Sequence, residues 1–389
     1  METAKKLPKR NLTVRYFFTF WVFGAVISVW GPMLPHLAEQ TNTPIAQMGI
    51  VFSMIALGSL IGYFIGGRLY DSKPGHPIIA AALFGGAIVL TLVPTVPLLP
   101  LLAGLLFCMG FCMGVQELGI NTLIIWVQQT HLATYMNALN FVNGSGALLS
   151  PFVVAWLLAA GFAPSWVFRL LAMVWLLAAM GVMTAPSPKI RKKSEEGQKS
   201  SSTKALLLIA SMFMLYVGGE VSFSGWLYVY ATSMFADMQT SAYYLSSVFW
   251  AAITFGRLLA IPASLRINPR QQLTIGYLVS ACSLGMLFWQ RNNQMALWVG
   301  TASAGMGMAI IFPALLAYGE QRLQLSSRAL SVFYHGIAVG VIIFPWLSGQ
   351  IMAFFGQPAV MVVVMSMLLT GLGIFSMVER TKNSQLKNL

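Results

Sequence analysis

Apolar residues run along this chain in blocks too long for the core of a soluble domain. Twelve such runs can be marked, at 13–37, 46–67, 77–94, 98–126, 134–159, 166–184, 205–231, 241–263, 271–289, 295–318, 328–354 and 358–378. A bilayer-crossing helix needs about 20 apolar residues. In lipid every backbone N–H and C=O must be satisfied within the segment, so each run reads as a transmembrane helix. The alternating segments of about 10 residues that build a membrane β-barrel do not recur. The apolar pattern breaks once, over 186–204, where PSPKIRKKSEEGQKSSSTK is polar and rich in Ser and Lys. That composition, at the middle of the chain, reads as a linker. The prediction is an all-α integral membrane protein with twelve transmembrane helices in two pseudo-symmetric six-helix halves. Its parts are a tail (1–12), a first half (13–185), the linker (186–204), a second half (205–378) and a second tail (379–389).

The halves carry matching fragments. Gly67-Arg68-Leu69-Tyr70 ends the second run, and Gly256-Arg257-Leu258-Leu259 lies in the eighth. Gly146 with Pro151 in the fifth run matches Gly340 with Pro345 in the eleventh at the same spacing. Met113-Gly114 in the fourth run matches Met306-Gly307 in the tenth. Duplicated transporter folds of this kind bind substrate near the membrane midplane. Gly58, Gly62 and Gly66 recur every fourth residue, as do Gly110 with Gly114 and Gly336 with Gly340. Small residues at that spacing let helix backbones approach closely, so they read as structural packing positions, with the faces where the two halves rock as one place for them.

Composition agrees. Of 389 residues, 57% are hydrophobic and 8% charged, against about 25% charged in soluble domains. This excludes a soluble enzyme, a disordered chain and a secreted disulfide scaffold. The formal net charge of +13 sits in loops and tails beside apolar runs, so it reads as the positive-inside rule and not as a nucleic-acid surface. Placing the N-terminus inside puts Lys5, Lys6, Lys9, Arg10, Arg15, Arg68, Lys73, the linker bases, Arg266, Arg270, Arg322, Arg328, Arg380, Lys382 and Lys387 on the inner side. Arg169 and Arg291 remain outside. Both termini are therefore expected in the cytoplasm of a cell-membrane protein. The first apolar run is too long for a signal peptide and lacks a small-residue cleavage site. Cys108, Cys112 and Cys282 lie within apolar runs with no His or acid at ligand spacing, so they read as packing residues and no metal site is expected.

Polar residues inside the spans need a reason. Of ten acids, only Glu117 and Glu220 fall well inside. A charge at the bilayer centre costs about 2.5–3.5 kcal/mol on insertion scales, so both are candidate cation sites. The alternative is a buried structural pair with Arg or an amide. Asn137, Asn140 and Asn143 share one helix face, and Gln116, Glu117 and Asn121 form a second polar patch. Amides offer both donors and acceptors, which suits hydroxyl-rich ligands. Gln116, Asn121, Asn140 and Asn143 are therefore candidate cavity-lining residues, helix–helix bonding being the alternative. Trp226 and Trp250 are candidates for stacking on a sugar ring, and Trp30 is a weaker one. His335 is a titratable candidate in the eleventh helix. Arg257 either pairs with a carboxylate or snorkels to the inner interface, and Arg169 reads as an interface anchor. Walker A, His-Glu-x-x-His and Gly-x-Ser-x-Gly patterns are absent from the sequence. Neither enzyme chemistry nor a cofactor is expected, and the driving force falls to an ion gradient or to the substrate's own gradient.

The loop Gly67-Arg68-Leu69-Tyr70-Asp71-Ser72-Lys73-Pro74-Gly75-His76 resembles the helix 2–3 signature of the major facilitator superfamily, Gly-x-Leu-x-Asp-Arg-x-Gly-Arg. It departs at Ser72, has one extra residue before Gly75, and carries His76 where Arg is usual. The resemblance implies a conformational role for Arg68 and Asp71, and for Arg257 in the matching fragment. Three further stretches are similar to the sugar branch of fucose permease, the glucose/mannose symporters and the sodium-dependent glucose transporter. They are Glu117-Leu118-Gly119-Ile120-Asn121, then Tyr216-Val217-Gly218-Gly219-Glu220 followed by Trp226, then Ser247-Val248-Phe249-Trp250 with Gly256-Arg257-Leu258. Ile311-Phe312-Pro313 fits as well. By that resemblance Glu117 is the coupling or sugar-binding acid, and Glu220 lines the same cavity. The resulting expectation is a monomeric secondary transporter taking a sugar with a proton or sodium ion by alternating access, surrounded by membrane lipid. Two rivals are an exporter of amphipathic drugs or lipids, which the 23 Met residues would suit, and a non-transporting membrane sensor.

Overall fold

A computed structural model describes residues 9–128, 132–188, 203–264, 266–323 and 327–387. Among these the chain forms twelve long α-helices and no strand. The first six are α1 (Lys9–Gln40), α2 (Ile50–Ser72), α3 (Gly75–Leu92), α4 (Leu99–Val127), α5 (Leu132–Ala159) and α6 (Ser165–Met183). The second six are α7 (Thr203–Met234), α8 (Ser241–Ser264), α9 (Pro269–Trp289), α10 (Gln294–Leu323), α11 (Ser327–Phe355) and α12 (Ala359–Lys387). The twelve-helix prediction holds. The largest departures are at the C-terminal ends of α2, α10 and α12, which run past the predicted limits of 67, 318 and 378. A helix satisfies its own backbone in water as in lipid, so hydropathy marks the lipid-facing stretch and not the helix end. Eleven of the described helices have an apolar stretch able to cross a membrane. The linker lies mostly outside the described residues, as do residues 1–8 of the first tail.

The chain divides into two compact units, one of 1–43 with 54–194 and one of 44–53 with 195–389. In the first, α1 packs on α5, α3 on α6, and α2 on α4. In the second, α7 packs on α11, α9 on α12, and α8 on α10. The pairing is the same, helix for helix, as the sequence repeat requires. A Cβ on Gly146 would lie 2.1 Å from the Trp21 carbonyl oxygen of α1, and one on Gly340 would lie 2.2 Å from the Met214 carbonyl oxygen of α7. These two glycines are equivalent contacts. The Gly114–Gly307 match does not extend to function in packing. Gly114 meets α2 at Ser59, whereas Gly307 meets α9 at Ser280. The α8–α10 contact is made instead at Gly305, against Phe249, and at Ala309, against Gly256.

The glycine stripes seat helices against one another inside a unit, the packing role expected of them. Gly58 and Gly62 of α2 face the Phe107 and Phe111 carbonyls of α4, and Gly110 and Gly114 face Ile55 and Ser59 in return. Ser59 adds a hydrogen bond of 3.0 Å to the Gly110 carbonyl. Gly336 faces Ala210 of α7.

Each unit clasps the start of its third helix to the end of its sixth. In the first unit, His76 Nδ1 is 2.9 Å from the Ala185 carbonyl, and Nε2 is 2.8 Å from the Tyr16 hydroxyl. A carbonyl only accepts, so Nδ1 carries the hydrogen and Nε2 of the neutral ring accepts from Tyr16. Arg15 donates to the Gly181 carbonyl close by. In the second unit, α9 opens with a capping box between Asn268 and Gln271, followed by Pro269. The next residue, Arg270, reaches Glu379 of α12 at 3.0 Å. Glu379 also pairs with Arg322 and accepts from the Tyr318 hydroxyl at 2.7 Å.

Residues 44–53, the approach to α2 and its first residues, belong to the second unit. Gly49 and Gly349 make this possible. A Cβ on Gly49 would lie 2.6 Å from the Trp346 Cα, and one on Gly349 would lie 2.4 Å from the Ala46 carbonyl oxygen. Ser53 donates to the Ile342 carbonyl at 2.5 Å, and Gln350 to the Ala46 carbonyl at 3.3 Å.

Candidate functional site

In the first unit Glu117 sits half-buried on α4. The close α2–α4 approach brings the Tyr63 hydroxyl of α2 to its carboxylate as donor. One turn on, Asn121 donates to the Glu117 backbone carbonyl at 2.9 Å. Among the described residues the ion pairs are those of Glu379, so no cation balances Glu117. A carboxylate held by a neutral hydroxyl keeps the capacity to take up a cation, which a carboxylate locked to Arg lacks.

Gln116 and Asn143 serve α1 instead. Gln116 is completely buried and donates to the Thr19 carbonyl at 2.8 Å. Asn143 donates to the next carbonyl, that of Phe20, at 3.3 Å. The Gln116 Oε1 has no partner and is buried. Asn140 is exposed and its side chain bonds the Met136 carbonyl of its own helix at 3.1 Å. The Asn137 side chain lies outside the described residues. The structure therefore brings Glu117 and Asn121 together and uses Gln116 and Asn143 to join helices.

In the second unit Glu220 is 8% exposed on α7. It is bonded to the Tyr216 hydroxyl one turn earlier. The same hydroxyl lies 2.9 Å from the Met308 carbonyl of α10 and within interaction range of Arg257 of α8. Arg257 thus faces inward to this cluster. Trp226 is fully buried and donates its indole N–H to the Pro345 carbonyl at 2.8 Å. It also lies against Gly349, beneath the 44–53 segment. Trp226→Phe, which removes the pyrrole ring with its N–H and leaves a cavity at a fully buried site, is expected to lower stability by about 2–3 kcal/mol, measured by thermal unfolding in detergent. Trp250 is half-buried with its ring edge-on to Phe249 at 5.6 Å. His335 is exposed on α11. Asp71 and Arg68 are exposed at the end of α2, with the Arg68 guanidinium 4.0 Å over the Phe64 ring. Arg169 stacks similarly on Trp166, at 5.2 Å, and Trp30 is buried against Phe168.

The sequence reading missed the two tyrosines. Tyr216 and Glu220 stand at i, i+4, a spacing that places them on one helix face. Tyr63 carried no comparable signal, because its partner is on another helix. A cavity of about 590 Å³ opens at the start of α3, lined among others by Pro74, His76 and Ser187. None of the carboxylates lines it.

Two units of six membrane helices, paired alike and each holding one intramembrane carboxylate, are the architecture of a duplicated secondary transporter. The chain belongs to the Major Facilitator Superfamily, whose pattern matches residues 16–334. It is 26% identical to mouse (Mus musculus) "Sodium-dependent glucose transporter 1A" over 86% of this chain and 88% of that one. It is 25% identical to mouse "Major facilitator superfamily domain-containing protein 4A" over 90% and 88%. Among solved structures it is similar to the nucleoside transporter NupG, with a TM-score of 0.74, 14% identity, and coverage of 94% and 98%. It is also similar to the xylose transporter XylE from E. coli, with a TM-score of 0.75, 13% identity, and coverage of 93% and 97%. At those identities the solved structures show the fold. The chain is a multi-pass membrane transporter of this superfamily.

Proposed function

We propose that this protein is a cation-coupled sugar symporter of the cell membrane, working by alternating access with both termini in the cytoplasm. The observation that carries the proposal is the pair of carboxylates inside membrane helices, each held by a tyrosine hydroxyl. A buried charge is expensive in lipid; the neutral Tyr63 donor leaves Glu117 free to load and release a cation, while Glu220 shares its hydroxyl partner with Arg257. Glu117 and Glu220 are the coupling acids. Asn121, adjacent to Glu117, and Trp250 supply polar and aromatic contacts to the sugar. Arg68 and Asp71 act in the conformational change. The names of the relatives support a hexose as substrate, and the distribution of Lys and Arg supports the orientation.

The test is uptake of labelled hexoses into proteoliposomes holding the purified protein under an imposed pH or sodium gradient. Saturable uptake driven uphill by one gradient is the expected result. Absence of uptake of every hexose by folded protein overturns the sugar reading.

A further inference from the structure

Residues 44–53 belong to the second unit, while the chain on either side of them is anchored in the first. Before them, Gln40 at the end of α1 donates to the Val93 and Val96 carbonyls at 2.8 and 2.7 Å. After them, Gly58 and Gly62 hold α2 against the α4 backbone. The entry to the segment is built as a hinge. Among the described residues Asn42 is the one non-glycine residue with a positive φ, 47°, a left-handed conformation that asparagine tolerates through its short polar side chain. Pro44 follows with φ at −54°.

At the seat, backbone meets backbone. Gly49 lies on the Pro345 and Trp346 backbone of α11, and Gly349 lies on the Ala46 carbonyl. These closest contacts carry no side chain that would have to be withdrawn for the segment to leave. The polar groups keep a partner in either position. Ser53 Oγ is 2.5 Å from the Ile342 carbonyl and 3.5 Å from the Gly49 carbonyl one turn back on its own helix. A hydroxyl donates once, so it bonds Ile342 when seated and Gly49 when lifted, and no buried donor is orphaned. The half-buried Gln350 amide, 3.3 Å from the Ala46 carbonyl, can exchange that partner for water. Apolar burial is what favours the seated position. Met48 and Val51 are fully buried, the Phe52 ring covers Gly225 of α7, and the Trp226 ring lies beneath against Gly349.

We propose that residues 44–53 form a strap that lifts off α11 and α7 while the transport site is open to the outer side and reseats when it is not. The proposal rests on the alternating-access reading and the orientation given above, and it names a moving part at the outer end. Asn42 is the hinge, the Gly49–Gly349 contact is the releasable seat, and the Ser53 hydroxyl switches acceptor as the strap moves.

Two measurements on the full-length protein test it, with Cys108, Cys112 and Cys282 replaced by alanine. In the first, Ala46→Cys with Gln350→Cys places two thiols across the seat. Oxidation to the disulfide with copper phenanthroline is expected to stop both hexose uptake and exchange in proteoliposomes, and dithiothreitol to restore them. In the second, Met48→Cys, fully covered when the strap is seated, is timed with a membrane-impermeant maleimide. Gly349→Ala puts a Cβ 2.4 Å from the Ala46 carbonyl oxygen. It should raise the labelling rate about tenfold, the shift that about 1.4 kcal/mol of overpacking gives. Ser53→Ala, which removes the Ile342 bond and adds no atom, should raise it in the same direction and serves alone if Gly349→Ala fails to fold. Full transport by protein shown to be cross-linked overturns the strap and leaves symport standing. If no hexose moves even in the unlinked parent, symport fails and the labelling decides, as it does if the thiols do not join. Faster labelling in the variants keeps the strap, and an unchanged rate removes it.

Discussion

Glu117→Gln is expected to abolish concentrative sugar uptake, so that internal and external sugar only equalise, while exchange of internal for external sugar persists. Glutamine keeps the volume of glutamate and an oxygen to accept from Tyr63, so the α2–α4 contact survives. Asn121 bonds the backbone carbonyl and is indifferent to the change. What disappears is the ability to gain and lose a cation, and with it the link between the ion gradient and the sugar. Tyr63→Phe is the graded companion. It leaves the carboxyl and removes its donor, a charged hydrogen bond of about 1.5–3 kcal/mol. It should therefore shift the ion concentration at half-maximal uptake without removing accumulation. Both are read by counterflow and gradient-driven uptake in proteoliposomes. Unchanged uphill uptake by Glu117→Gln would take Glu117 out of the coupling role.

The second large effect is on stability and changes sign within one helix. Gly110→Ala is expected to destabilise the protein by about 3 kcal/mol, at the upper end for overpacking. A Cβ there would lie 2.0 Å from the Ile55 carbonyl oxygen. That oxygen is backbone and moves only if α2 moves, which would also displace Gly58, Gly62 and Gly114 from their contacts. Gly104→Ala lies on the same helix with nothing within 4 Å of its Cβ. It should stabilise by about 0.5–1 kcal/mol through helix propensity alone. Melting temperatures of the two variants in detergent check the pair, and equal shifts would sink the account of α2–α4 packing. Gly340→Ala, facing Met214 at 2.2 Å, should behave as Gly110→Ala does in the second unit.

Several features of the chain were legible before folding. The twelve helices were, because cost in lipid depends on the hydropathy of a local stretch and on backbone bonds the stretch makes with itself. The duplication was visible in Gly146 with Pro151 and Gly340 with Pro345, and the packing roles of the two glycines proved equivalent. Glu117 and Glu220 stood out because a carboxyl in an apolar run is costly wherever its partner lies. The glycine spacing announced close helix contact, and Tyr216 with Glu220 was available as an i, i+4 pair.

Partners on other helices were not legible. Spacing says that Gly58 and Gly62 permit close approach but not that α4 fills it, nor that these contacts lie inside one unit. Gly307 repeats the Met-Gly dipeptide of Gly114 and yet serves α9. Gln116 and Asn143 have the composition of a ligand-binding face, and only their position against α1 turns their amides to the Thr19 and Phe20 carbonyls. Trp226 looked available for stacking until the 44–53 segment and Pro345 enclosed it. His76 replaced an expected arginine and took a different job, bridging Tyr16 and Ala185 with its two ring nitrogens. The sequence by itself determined which segments enter the membrane and which carry charge there, since transfer from water is a property of each segment alone. The tertiary structure alone decided what each polar group bonds, because a hydrogen bond needs two atoms within about 3 Å, and those atoms come from helices far apart in the chain.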